Sequence, residues 1–369
     1  MNPRMTHGSP SRHGVACYMG LALAGANAFA SAAAGQVSSP LIYEDIDSFA
    51  AAIAEIDAGS APLAALDRYM AGASPGMQIF ATRFGTSAAS IAEKLASHPN
   101  YYRYVSGLRP EIEAHEIALK QAISRLQSEA PAGSRPVPIY FLVANMRAGG
   151  NPGLVQTPEG PRPAIGIAVE LMAKSERVDT SEFPKGPPGV RLTDLPAVAL
   201  HEMSHIFQMQ VQGIDNYRSL YADPARSTNL AFAIREGCAD FLVWRAAQWR
   251  IEDRYQFVLE HADPLWAEFS AILHQPVDAS ASWFGPRNAD HPEQPMQVGY
   301  GIGMQICEAY YEAAGDKSQA LAQIYGAYLP EHFEAILAPY ATRMRHSGNE
   351  TMTTASRPDG GPNGSGTAP

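Results

Sequence analysis

His201-Glu202-Met203-Ser204-His205, inside the apolar run Leu195-Pro196-Ala197-Val198-Ala199-Leu200 to Ile206-Phe207-Gln208-Met209-Gln210-Val211, is the stretch whose reading decides the fold. Residues four apart share one face of an α-helix, so His201 and His205 can aim two imidazole nitrogens at one metal ion about 2.0–2.1 Å away. Glu202 then points about 100° around the helix, beside the ion and not onto it. That position suits a carboxylate taking a proton from a water whose pKa the metal has lowered to about 7. The H-E-x-x-H spacing occurs in zinc hydrolases, so one zinc ion is the expected cofactor and Glu202 the expected general base.

The flanks predict a helix from an N-cap at Thr193, with Asp194 in the first turn, to a stop at Gly213. Pro196 falls early enough to do no harm. Leu195, Val198, Ala199, Leu200, Met203, Ile206, Phe207 and Val211 surround most of the cylinder, the pattern of a buried helix. Two histidines and a glutamate in such a helix need partners, and a metal provides them.

A third ligand has to come from elsewhere. The metzincin pattern H-E-x-x-H-x-x-G-x-x-H fails, because Gln208 and Val211 occupy its last two positions. Glu236 is the better candidate, in the apolar segment Asn229-Leu230-Ala231-Phe232-Ala233-Ile234-Arg235-Glu236-Gly237-Cys238-Ala239-Asp240-Phe241-Leu242-Val243-Trp244. Glu236 and Asp240 are four apart on one helical face, and two like charges there repel unless a cation is near. Glu236 as ligand and Asp240 as acceptor of a histidine N–H resolve the conflict. The other reading is a solvated acidic pair.

With its Glu236-x-x-x-Asp240 sequel, this motif resembles the gluzincin metallopeptidases. The chain is more closely similar to a bacterial family of predicted zinc-dependent proteases related to a gliding-motility lipoprotein. That second resemblance rests on Tyr140-Phe141-Leu142 before a Gly-Gly loop, on Glu236-Gly-x-Ala-Asp240, and on Val298-Gly299-Tyr300-Gly301-Ile302-Gly303 leading to Tyr310-Tyr311 and Ala314-Gly315-Asp316-Lys317; it covers roughly residues 135–330. The gluzincin resemblance implies a zincin-like fold with His201, His205 and Glu236 on zinc, Glu202 as base, Asp240 orienting a ligand histidine, and peptide or protein substrates. It also implies a Tyr or His donating to the developing oxyanion. Tyr300 is the candidate, the other reading being a core tyrosine bonded to backbone.

Residues 1–32 read as a cleaved signal peptide. Arg4, His7, Arg12 and His13 form a basic n-region, Val15 to Phe29 a short apolar stretch, and Ala30-Ser31-Ala32 the cleavage site. A periplasmic or secreted protein without a stable membrane anchor is expected. Removing this segment takes two positive charges, Arg4 and Arg12, and moves the net charge from −10 to −12, which is no footprint for nucleic acid. Cys238 and Cys307 then remain, either as one bridge or as two buried thiols.

Residues 41–130 read as a helical N-terminal lobe, with stripes at Phe49/Ile53/Ile56, Leu63/Leu66/Met70 and Ile112/Ile117/Leu119/Ile123/Leu126. Residues 131–345 read as the catalytic domain. Val137–Ala144 and Ala164–Glu170 are strand-like, while 149–153 and 158–161 have loop composition. An exposed edge strand ahead of the His201 helix can hold a peptide by β-augmentation; the other reading is a two-stranded ribbon without a substrate role. The glycines of 299–303 predict close packing against another element, the His201 helix being the candidate. His98, His115, His261, Arg287 and His291 are weaker site candidates, and 346–369 reads as a disordered tail. The fold class that results is α+β, mostly helical, with a small β-sheet.

Overall fold

The computed structural model describes residues 40–184, 186–277, 283–285 and 294–355. The expected signal peptide, Arg287, His291 and the end of the expected tail lie outside the described residues. The protein is mostly helical around one small mixed sheet, an α+β architecture.

The sheet has four strands in the order β1 (Leu41–Ile42), β2 (Ile139–Leu142), β4 (Gly160–Ala168) and β3 (Gly150–Thr157). β1 and β4 run parallel to β2, and β3 is antiparallel to β4. All four residues of β2 are buried, as the continuous run Ile-Tyr-Phe-Leu requires of a strand covered on both faces.

β3 corrects the reading of residues 149–153 as loop. Gly150, Pro152 and Gly153 pair with β4, and their composition is tolerated because β3 is the edge strand, with one side unpaired. Its glycines also let neighbours approach. A side chain at Gly153 would meet Ile79, and one on its β4 partner strand at Gly166 would meet Phe80.

Residues 41–130 form α1 (Glu44–Asp57), α2 (Pro62–Ala71), α3 (Met77–Phe84), α4 (Ala88–Ser97), α5 (Pro99–Ser106), α6 (Arg109–Glu113) and α7 (Glu116–Glu129). They share one continuous hydrophobic core with the rest of the chain and contribute β1 to its sheet. Phe49, Ile53, Leu66, Ile112, Leu119, Ile123 and Leu126 are buried as their spacing predicts. Leu63 and Ile117 are exposed instead, each being the second residue of its helix, where the first turn faces outward.

The second half is built on α8 (Leu195–Gln212), α10 (Asn229–Ala247) and α13 (Val298–Ala313), with α9 (Ile214–Ala222), α11 (Glu252–Glu260), α12 (Ala262–Ser270), α14 (Lys317–Gly326) and α15 (Pro330–Ala355) around them. α8 begins after a 3-10 turn, Leu192–Asp194, so its N-cap is Asp194 and not Thr193. It stops at Gly213, whose φ of 81° suits glycine. α15 continues to Ala355, into the segment expected to be tail.

α10 and α13 cross at their backbones. An added Cβ on Gly303 would stand 1.8 Å from the Ala233 carbonyl oxygen, and one on Gly237 2.2 Å from the Met304 nitrogen. The glycine-rich opening of α13 therefore packs on α10, not on the His201 helix. The crossing is locked by the Cys238–Cys307 disulfide, whose Cα atoms are 5.5 Å apart and 69 residues apart in sequence. A loop of that length corresponds to about 4 kcal/mol of stabilisation in the chain-entropy model. Gly303→Ala is expected to cost 3 kcal/mol or more, roughly the upper end for overpacking, because backbone atoms cannot step aside. A urea midpoint equal to that of the parent would contradict this crossing.

Glu170, wholly buried after β4, accepts the N–H groups of Ala144 and Met146 at 3.1 Å each and so pins the β2–β3 connection, where Met146 holds a φ of 58°. Burial pushes its carboxyl up to about 7. The unfolded chain releases this proton near 4.5. The native state thus binds more protons between those values, and its stability falls as pH rises from 4.5 to 7. The full loss is about 3 kcal/mol. Denaturant titrations at pH 5 and pH 8 check this: Glu170→Gln should show a flatter pH dependence than the parent, and an identical one would assign the effect elsewhere.

Candidate metal centre

α8 is buried almost throughout, because its apolar positions surround the cylinder. It places His201, Glu202 and His205 inside the protein. α10, capped by the Thr228 hydroxyl accepting from Ala231 N–H at 3.2 Å, brings Glu236 and Asp240 across from them.

Glu236 Oε2 lies 3.2 Å from His201 Nε2 and 3.1 Å from His205 Nε2, and the two Nε2 atoms are 3.0 Å apart. This buried group can hold a metal ion. Donors about 2.0–2.1 Å from a tetrahedral centre are roughly 3.3–3.4 Å from one another, so the triangle is close to one face of such a site. The chemistry fits as well, since two imidazole lone pairs and a carboxylate oxygen converging in a buried space lack a positive partner that a cation supplies.

Each ligand candidate is held on its far side. His201 Nδ1 lies 2.7 Å from Asp240 Oδ1, while Asp240 Oδ2 accepts from Arg254 Nη2 at 2.8 Å. His205 Nδ1 is 2.8 Å from Gln208 Oε1. The Tyr221 hydroxyl donates to Glu236 Oε1 at 3.1 Å, leaving Oε2 for the centre. Arg235 lies under Tyr217 and Tyr221, 4.0 and 5.0 Å from their ring centres. Such outer contacts fix ring orientation and tautomer.

The charges interlock. Burial pulls His201 down, but Asp240 and Glu236 outweigh it and push it up to about 10. Burial likewise opposes ionisation of Glu236 and Asp240. His205 and His201 nevertheless hold Glu236 well below its usual range, and Arg254 with His201 lowers Asp240. A bound cation takes the place of the proton on the imidazole.

Glu202 stands apart from the triangle. Burial raises its pKa, with His201 and His205 offsetting part of the effect. Its carboxylate rests against Gly150, the first residue of β3, where an added Cβ would be 2.7 Å from Oε1. The Ala168 N–H donates to Gly149 O at 2.7 Å, which makes 149/168 a bonded pair and, by alternation, turns the backbone groups of Gly150, Pro152, Leu154 and Gln156 outward. Gln78 takes the Gln156 N–H at 2.9 Å and proline has none. The outward N–H groups of Gly150 and Leu154 make no hydrogen bond among the described residues.

Tyr300, at the start of α13, lies parallel to the His201 ring at 5.8 Å, and its hydroxyl makes no hydrogen bond among the described residues. His98 is stacked on Phe183 and His261 bonds the Phe257 carbonyl, so neither joins the centre. Sequence reasoning missed Gln208, Tyr221 and Arg254 as supports. Gln208 is three residues after His205, a spacing that puts the two side chains together on a helix and makes it legible in retrospect. Tyr221 and Arg254 arrive through tertiary contacts and carry no local signal. Compared with protein-family models, curated proteins and solved structures, the chain matches none.

Proposed function

We propose that this protein is an exported zinc-dependent metallopeptidase with a zincin-like fold. The observation that carries the reading is the placement of Glu202, outside the donor triangle and buried beside the His201–His205–Glu236 group and against the first residue of the edge strand β3. A zinc ion held by His201, His205 and Glu236 would supply an acidified water and polarise the scissile carbonyl. Glu202 removes the proton from the attacking water and returns it to the leaving amine. A peptide pairs with Gly150 and Leu154 of β3, which carries its backbone past Glu202. The Tyr300 hydroxyl, without a hydrogen-bond partner among the described residues, donates to the oxygen on which charge develops. Asp240 and Gln208 keep the two imidazoles turned inward. The disulfide is in keeping with an oxidising compartment outside the cytoplasm.

One observation favours a second reading, a zinc- or substrate-binding module that hydrolyses nothing. His201, Glu202, His205 and Glu236 are only 8, 8, 4 and 6% exposed, little for a centre that must admit a peptide bond. Elemental analysis of the purified protein, then incubation with a mixed peptide library, separates the two. One zinc per chain with chelator-sensitive cleavage is the expected result. Stoichiometric zinc without any cleavage would favour the binding module, and a protein that takes up no metal would defeat the peptidase and the zinc-binding module alike.

A further inference from the structure

We infer that Arg254 is a positioning residue that ties the orientation of the ligand His201 to that of Tyr300; the inference rests on the metal reading of the site. Arg254 comes from α11, outside the helices that carry the ligand candidates, yet it is 4% exposed and reaches the centre with both ends of its guanidinium fork. Nη2 donates to Asp240 Oδ2 at 2.8 Å, and the other oxygen of that carboxylate faces His201 Nδ1 at 2.7 Å. Nη1 donates to Gln297 Oε1 at 2.9 Å. Gln297, held at a φ of 61°, is the N-cap of α13, three residues before Tyr300. The guanidinium carbon itself lies 5.0 Å from the centre of the Tyr300 ring. α11 reaches this position because Gly301 leaves room, an added Cβ there standing 2.8 Å from Val258 and 3.5 Å from the Arg254 stem.

Charge explains why the residue is an arginine. Asp240 is buried one helical turn from Glu236, and a second uncompensated carboxylate there is costly. Pairing with Arg254 gives the second Asp240 oxygen a cationic donor while the first faces the His201 nitrogen, so the carboxylate is held between the two. A planar fork with separate donors can serve Asp240 and Gln297 together, whereas the single ammonium of lysine is a point charge. The ring of Tyr300 consequently has both the Arg254 guanidinium, 5.0 Å from its centre, and the parallel His201 imidazole, 5.8 Å away, as neighbours.

A double-mutant cycle on the full chain, read by zinc affinity in competition with a chromogenic chelator and by the visible spectrum of the cobalt-loaded protein, tests this. Arg254→Met and Asp240→Asn should each weaken zinc by about 10–100-fold, the range for lost outer support. The double variant should be hardly worse than the weaker single one, because both changes break the same chain of contacts. The cobalt spectrum of Arg254→Met should depart from the parent's, and Arg254→Lys should recover part of the affinity. Should Arg254→Met fail to fold, Arg254→Ala takes its place in the cycle, since it too removes both guanidinium hydrogen bonds. Parental affinity in the charge-free variant, or two losses that simply multiply, would overturn the role of Arg254 and leave the metal reading intact. A parent that binds neither zinc nor cobalt would overturn the metal reading and this inference with it.

Discussion

Glu236→Ala is expected to abolish zinc binding, whereas Asp240→Ala is expected to weaken it by only about 10–100-fold. The two carboxylates sit one turn apart on the same helix and differ in what they face. Glu236 presents Oε2 to both imidazole Nε2 atoms, at 3.2 and 3.1 Å, and its removal takes away one corner of the donor triangle. Asp240 faces the opposite nitrogen of His201, so its removal leaves the three donors in place and frees the ring to turn. Zinc affinities of the two variants in one buffer are the measurement. The reverse order would make Asp240 the ligand, and negligible losses in both would remove α10 from the site.

Glu202→Gln should retain zinc and lose turnover, by about 100- to 10,000-fold for a general base. The amide keeps the volume that Gly150 accommodates but cannot accept a proton from the attacking water. Because Glu202 is not part of the donor triangle, metal content should be unchanged, and that separates this variant from Glu236→Ala. Hydrolysis at the parental rate would assign the base to another group.

Much of the centre was legible in the chain because its chemistry is local. The i,i+4 spacings of His201/His205 and Glu236/Asp240 decide which side chains share a helical face, and an apolar surround decides that both helices are buried. The structure brings these residues together as that spacing requires. The strand runs at 137–144 and 164–170 were likewise legible, since continuous β-branched and aromatic composition reports burial on both faces.

What failed to show in the sequence depended on partners distant along the chain. Gly150-Asn151-Pro152-Gly153 has the composition of a loop, and only pairing with β4 makes it a strand, at an edge where missing side chains and a missing N–H are tolerated. The glycines of α13 announced a close approach without saying to what, and the crossing partner proved to be the Glu236 helix, joined by Cys238–Cys307. By itself, then, the sequence determined the two buried helices, the donor types and their spacing, because helical periodicity and the cost of burying charge act within a few residues. Only the tertiary structure decided that Arg254, Tyr221 and the β3 edge belong to the same centre, because those contacts span 14, 15 and about 50 residues and form only when the helices and the sheet close on one core.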